Sequence, residues 1–303
     1  FANHSHLVAV QIDKAKNIDD LKKLQDDLKN LIVTLRAKGV KVRYITKLVS
    51  TLNLKIYKKV FDMCVPVSLQ ESCALLVMGS EGREEQTIKT DQDNALVVKD
   101  GVDLELYVEP MMQLNSSLLE LGFPSCSGNV MVSNAYWRRD VKGFKALINE
   151  WAGSMNDESA QNLSIFLDAK CVAGNKTLLD ELKSYLFDNF HSRDDVLAHI
   201  AKAILNFETP LSLFSGFVLE KNHSNKLDLK KGGTFPIVHG VRTLSLQYGI
   251  NETNTIERIK ELNNLGVIDK TFAAELIESF DTLSAIRLKA MLKAKELQES
   301  NYI

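Results

Sequence analysis

The sequence predicts an α+β protein, a small mixed sheet flanked by an N-terminal helical segment and a C-terminal helical bundle. Three observations predict it. Apolar residues recur at helical spacing over residues 17–63; near Val67 the pattern changes to short apolar runs; and from about Asp157 helical spacing returns and persists. The 303 residues, 45% hydrophobic and 25% charged, have ordinary globular composition. Such a length accommodates roughly one to three domains.

In chain order, Asn17 can cap a helix whose apolar positions Leu21, Leu24, Leu28, Leu31 and Leu35 are spaced by threes and fours, with Gly39 as its stop. A second amphipathic run, Tyr44 to Met63, completes a helical hairpin or connector over residues 1–66. Its leucine stripe suits packing within the chain, with a homodimer seam as the alternative. The central segment, 67–156, holds the strand candidates Cys73–Gly79, Asn94–Val98, Leu104–Val108 and Asn129–Ser133, with a helix over Pro110–Leu121. Helices follow over Glu158–Lys170, Thr177–Phe190, Asp194–Phe207, Thr255–Asn264 and Lys270–Leu297, forming a third segment, 157–303. Asn254 with Glu257 makes a capping box, and the Gly-Gly and proline of Leu227–Gly240 predict a turn or hairpin.

Lys and Arg number 37 against 39 Asp and Glu, a net charge of -2, which argues against a broad nucleic-acid surface. Cys64, Cys73, Cys126 and Cys171 form no CxxC pair, so reduced thiols in a cytoplasmic protein are expected. No apolar run approaches membrane-spanning length. The chain opens on Phe1 rather than Met, which predicts that it is a piece of something longer, with regulatory parts upstream.

The stretch VMGSEGREEQTIKTDQDNALVV, Val77 to Val98, concentrates the chemistry. Gly79-Ser80 after a strand permits a sharp turn; the amides of a following helix, the Ser80 hydroxyl and the Arg83 fork could then receive phosphate. Asp91 and Asp93, two residues apart at the start of a strand, point to one face. Two carboxylates so close repel unless a cation lies between them, and an all-oxygen set favours Mg²⁺, with Mn²⁺ as the alternative. The bland reading is a polar turn with solvated acids.

Strand, Gly-Ser, ten intervening residues and Asp-x-Asp entering a second strand resemble the signature of the DNA polymerase beta-like nucleotidyltransferase superfamily. That signature has apolar residues at the positions of Gln92 and Asn94. GSEGREEQTIKTDQDNAL is similar instead to one branch, the bacterial nucleotidyltransferases related to PII-protein uridylyltransferase, commonly fused to cyclic-nucleotide-binding and CBS-pair domains. The resemblance continues through LGFPSCSGNVMVSNAYW, SIFLDAKCVAG and FVLEKNHSNKLDLKKGGTFPIVHGVRTLSLQYGI.

The resemblance implies that Gly79, Ser80 and Arg83 hold a nucleoside triphosphate and that Asp91 and Asp93 hold Mg²⁺. An acceptor hydroxyl, on a protein or a small molecule, would attack the α-phosphorus and release pyrophosphate. The third carboxylate of the superfamily has no obvious counterpart here. Glu105 and Asp168 are candidates, and Asp168 can equally be paired with Lys170 at a helix end. Lys230 and Lys231 could close over phosphates or form a solvated hairpin tip. His239 and Arg242 lie in an apolar stretch, as site or core residues, and Trp137 and Trp151 read as core anchors. Three functions compete: an active transferase in signalling, a silent nucleotide-binding regulatory module, and a nucleic-acid end-adding enzyme.

Overall fold

In the computed structural model, residues 2–86, 91–154, 156–202, 205 and 229–297 are described. They fall into two compact units. The first comprises the residues up to Glu150 together with Asp168–Leu186; the second comprises Trp151–Leu167 and the residues from Phe187 on.

The first unit opens with α1 (Ala2–Lys14), α2 (Ile18–Lys23), α3 (Gln25–Ala37) and α4 (Val42–Cys64). Asn17 caps α2 through its side chain on the Asp20 amide. The single helix expected after Asn17 is two, broken at Leu24, and Gly39 ends α3 in the left-handed region at φ +75°. All five leucines of the stripe are buried within the chain. On α4 Ile45, Val49, Leu52, Ile56 and Val60 face the core and Leu48 is half-buried, and the Tyr57 ring meets Phe123 edge-on at 5.2 Å.

After α5 (Val67–Gln70) the sheet begins. Strands β1 (Cys73–Val77) and β2 (Asn94–Val98) are buried at every residue, as unbroken apolar runs require. The sheet order is β3-β2-β1-β4, with β3 at Arg138–Asp140 and β4 at Lys170–Gly174. β1 is antiparallel to β2 and to β4, and β2 is parallel to β3, so the sheet is mixed. Between the strands lie α6 (Gly79–Gly82), α7 (Val108–Glu120), α8 (Val141–Ser154) and α9 (Asp157–Leu167), and α10 (Lys176–Phe190) follows β4.

Two of the four expected strands are not strands. Leu104–Tyr107 is a 3₁₀ turn, because the Asp103 side chain accepts from the Glu105 amide at 3.0 Å and curls the backbone. Residues 129–133 form no ladder. Asn129 adopts φ +55°, and Val132 donates its amide to the Asn94 side chain at 2.8 Å instead of to a strand. Conversely, the helix expected to reach Lys170 stops at Leu167, and Lys170 opens β4. A register shift between Leu75 and Leu76 lets β4 pair with β1.

The second unit is helical: α9, α11 (Asp194–Lys202), α12 (Phe235–Gln247), α13 (Thr255–Asn264) and α14 (Lys270–Leu297). The helix expected over Asp194–Phe207 is described as far as Lys202. Asn254 caps α13, accepting from the Ile256 and Glu257 amides. The turn or hairpin expected over Leu227–Gly240 is, in its described part, a π-helical turn over Lys230–Thr234 running straight into α12; Pro236 sits in the first turn of α12, where its missing N–H costs nothing. Trp151 is buried beside Phe166, and Arg242 lies against His239 Nδ1 at 3.4 Å. Among the described residues no helix is long and apolar enough to cross a membrane.

One glycine binds the sheet edge closely. Gly174 has φ +81°, and a Cβ there would run into the Cys73 carbonyl. Gly174→Ala combines a left-handed backbone with a backbone clash, so a loss of ~2–4 kcal/mol is expected. Chemical denaturation followed by circular dichroism measures it.

Candidate active site

β1 leads through Met78 into the turn Gly79–Gly82, and β2 is entered from Asp93. The Met78 amide donates to the Asp93 carbonyl at 2.8 Å, so the β1–β2 ladder extends to the turn itself. Gly79 takes φ +55°, and a Cβ on it would lie 2.5 Å from Asp93 Oδ2. The glycine is therefore required twice, by its backbone conformation and by the carboxylate against its α-carbon. Ser80, next in the turn, is half-buried.

Asp91 and Asp93 alternate with Gln92 and Asn94. Asp91 is exposed and Asp93 half-buried, whereas Gln92 and Asn94 are fully buried. Gln92 donates through Nε2 to the Phe123 carbonyl at 3.0 Å, and its amide donates to the Pro124 carbonyl at 2.8 Å. Asn94 accepts from the Val132 amide through Oδ1, and its Nδ2 donates to Gln92 Oε1 at 3.3 Å. The two amides fasten the segment after α7 to β2 and leave the acids on the opposite face. Cys126, in the fastened segment, lies near Asp93; burial first, then the Asp93 charge, pushes its thiol up to about 11. It is a neutral hydrogen-bond donor at ordinary pH.

The structure places Arg83 and Asp168 together. Both side chains are buried; Arg83 Nη1 bonds Asp168 Oδ2 at 2.6 Å, and its Nε bonds Glu85 Oε2 at 2.7 Å. Burial opposes the guanidinium charge, but Asp168 and Glu85 outweigh it and hold the pKa above its ordinary value. Gly82 packs its α-carbon on the Asp168 carbonyl, and Lys170 pairs with Glu84, not with Asp168. Glu105 is exposed on its 3₁₀ turn. Lys230 and Lys231 lie in the helical unit, where Lys230 Nζ sits 5.1 Å from the Phe235 ring centre. The Lys231 side chain and residues 87–90 lie outside the described residues.

Sequence reasoning missed a buried polar layer under the turn. Asn53 of α4 donates to Gln86 Oε1 at 2.9 Å. Glu81 is 1% exposed, and the Tyr57 hydroxyl lies close to it, yet among the described residues neither that hydroxyl nor either Glu81 oxygen completes a well-aligned hydrogen bond. Burial, with Asp93 adding to it, pushes the Glu81 carboxyl up to about 8. Helical spacing on α4 marks Asn53 and Tyr57 as inward-facing but cannot tell a polar contact from core packing.

Could this turn and acid pair receive a divalent cation? The Asp93 carboxylate is held against a glycine, Asp91 adds a second oxygen donor, and no group of three ligating side chains is assembled among the described residues. That set fits Mg²⁺, which keeps waters and substrate phosphates in its shell. All four cysteines are free thiols, and none forms part of a soft-metal set among the described residues.

Comparison with known families gives two matches. Residues 26–158 match the model described as "Putative nucleotidyltransferase DUF294", and residues 194–303 match the "Putative nucleotidyltransferase substrate binding domain". No curated protein matches the chain. The first match begins within α3 and includes all of α4, so the polar layer under the turn lies inside the nucleotidyltransferase region.

Two predictions test this anatomy. Asp168→Asn leaves Arg83 short of a buried counter-charge and should cost about 3–5 kcal/mol in urea unfolding. Arg83→Lys should not restore stability, because one ammonium cannot serve both carboxylates as the fork does. For Glu81, the folded chain keeps a proton that the unfolded chain releases near the ordinary 4.5, while release in the fold waits until about 8. The folded state thus binds more protons between those values, and stability falls as pH rises through that window. Melting temperatures of wild type and Glu81→Gln across pH 5 to 8 should show a downward slope that the variant reduces.

Proposed function

We propose, because the chain belongs to a nucleotidyltransferase family over residues 26–158 and 194–303, that it moves a nucleoside monophosphate from a nucleoside triphosphate to a hydroxyl of a protein or small-molecule acceptor. The observation that carries this reading is the packing of the Gly79 turn directly against Asp93 at the head of β2, with Asp91 on the same face. A triphosphate laid along the turn would meet backbone amides and the Ser80 hydroxyl on one side and the acid pair on the other.

Asp91 and Asp93 would hold Mg²⁺, which supplies charge neutralisation for the phosphates when bound. The turn fixes the triphosphate, and the acids orient the α-phosphate toward the acceptor. The acceptor oxygen forms a bond to the α-phosphorus as the bond to the β-phosphate bridging oxygen breaks; pyrophosphate leaves, and the hydroxyl proton is released. Arg83 contributes at one remove, by holding the turn's shape through Asp168 and Glu85. The resemblance to the uridylyltransferase-related branch supports a signalling role in the bacterial cytoplasm, downstream of regulatory domains.

A second reading is a nucleotide-binding regulatory module without turnover. It is favoured by the capture of Asp168 in the Arg83 pair and by Glu105 lying exposed. One experiment separates the two: purified chain with Mg²⁺, each α-labelled nucleoside triphosphate and cell extract. Transfer of label to a partner is expected, reduced at least a hundredfold in Asp93→Asn and in Asp91→Asn. Mg²⁺-dependent binding without transfer would select the regulatory module. Absence of nucleotide binding would reject both.

A further inference from the structure

The edge strand β3 is short, RRD, and both of its arginines line a cavity of about 320 Å³ together with Glu105 and Tyr136. Consecutive side chains leave a strand on opposite faces, so the cavity meets the edge of β3 with one arginine from each face. Both arginines are held in place. Arg138 Nη1 donates to the Val132 carbonyl at 2.7 Å, and Arg139 Nε donates to the Tyr136 carbonyl at 3.1 Å. The Arg139 guanidinium also lies over the Tyr136 ring, 5.3 Å from its centre. Carbonyls and a ring face carry no full counter-charge. Among the described residues no carboxylate makes an ion pair with either guanidinium, although both are half-buried. Burial lowers the Arg138 pKa from its ordinary value, and the charge of Glu105 offsets this only in part.

Two half-buried cations in one cavity repel each other, and an anion placed between them would relieve that cost. The donors decide which anion fits. Each fork uses an N–H on the carbonyl that holds it and keeps others for a ligand. The oxygens of a carboxylate lie in one plane and are saturated by a single fork. A phosphoryl group offers its acceptor oxygens in a tetrahedral array and can accept forks from two directions. Leu104, Val108 and Ala135 supply apolar wall for a small body behind the anion. The location also separates this cavity from the acid pair. Val132, which receives Arg138, gives its amide to the Asn94 side chain, on the face away from Asp91 and Asp93. A ligand here touches the backbone behind the acids and not the acids themselves.

We infer that this cavity is a second ligand site, apart from the transferase site, for a small phosphate monoester whose phosphoryl group lies between Arg138 and Arg139 and whose apolar body rests on Leu104 and Val108. Glu105, on the wall, repels any further anionic group. It therefore selects monophosphates over ligands with several charged groups, the triphosphate of a nucleotide among them.

The test follows arginine Nε–Hε NMR signals of the full chain during separate titrations with propyl phosphate, inorganic phosphate, butyrate, a phosphoserine peptide and Mg²⁺ with each nucleoside triphosphate. Propyl phosphate should move the Arg138 and Arg139 signals at lower concentration than inorganic phosphate, and butyrate should leave them in place. Arg139→Gln should weaken propyl phosphate binding roughly tenfold, the loss of one charge-assisted fork. Arg139→Lys should weaken it nearly as much, because an ammonium keeps the charge and loses the fork. Glu105→Gln, an exposed change, should tighten binding about twofold at low ionic strength, a gain that misfolding cannot imitate. Signals unmoved by both phosphates, or no gain in Glu105→Gln, overturn the site. Butyrate binding as tightly as propyl phosphate overturns the phosphoryl assignment, and inorganic phosphate doing so overturns the apolar body. Tighter binding of the phosphoserine peptide replaces the small ligand with a protein partner. A nucleotide that moves the same signals and is displaced by propyl phosphate shows that the cavity holds the nucleotide's own phosphates, and the second site falls. None of these readouts needs turnover, so failure of the transfer assay above leaves them unchanged.

Discussion

The geometry of the site turn depends on a guanidinium taken out of water. Arg83 lies between Asp168, at the threshold of β4, and Glu85, at the far end of the turn. Burying one cation and two carboxylates is costly, and a cluster of similar apolar side chains would often be as stable or more so. What such a cluster would not supply is direction. Two N–H vectors of a planar group, each aimed at a different carboxylate, allow one arrangement of the turn relative to β4. Gly82 against the Asp168 carbonyl and the Lys170–Glu84 pair add further ties at the same place. The turn beside Asp93 is thereby fixed from β4.

A second constraint acts from the other side of β2. The general superfamily pattern has apolar residues where this chain has Gln92 and Asn94. Two buried amides would each cost about 1–3 kcal/mol if left unpaired. Here Gln92 reaches Phe123, Asn94 reaches Val132, and each bonds the other. The substitution of amides for aliphatic residues therefore converts a packing face into a binding face for the backbone of residues 122–132. That backbone in turn carries Cys126 to Asp93 and presents the Val132 carbonyl to Arg138.

Much of this was legible in the sequence where one physical cause dominates. Helical spacing located α4, α7, α10, α13 and α14, and unbroken apolar runs located β1 and β2, the strands buried on both faces. The edge strands were not legible: RRD and KCVAG are half-exposed, so burial imposes no pattern on them. Leu104–Val108 alternates like a strand, but a single side-chain bond from Asp103 curls it. In the site, spacing indicated Gly79 and the Asp pair. It could not show that Arg83 is paired with Asp168, a residue far along the chain, because that pairing is made by tertiary packing alone.

The two aspartates are consequently unequal. Asp93 is half-buried, its backbone fixed by Met78 and its carboxylate pressed on Gly79, so its orientation is set before any ligand arrives. Asp91 is exposed, and residues 87–90 before it lie outside the described segment. Ordering an exposed side chain costs conformational entropy at the moment of binding. For a reaction that must release pyrophosphate as well as bind triphosphate, one fixed and one adaptable carboxylate is a workable division. On the function proposed above, the fixed acid would define where a cation and the α-phosphate lie, and the adaptable one would moderate how tightly they are held.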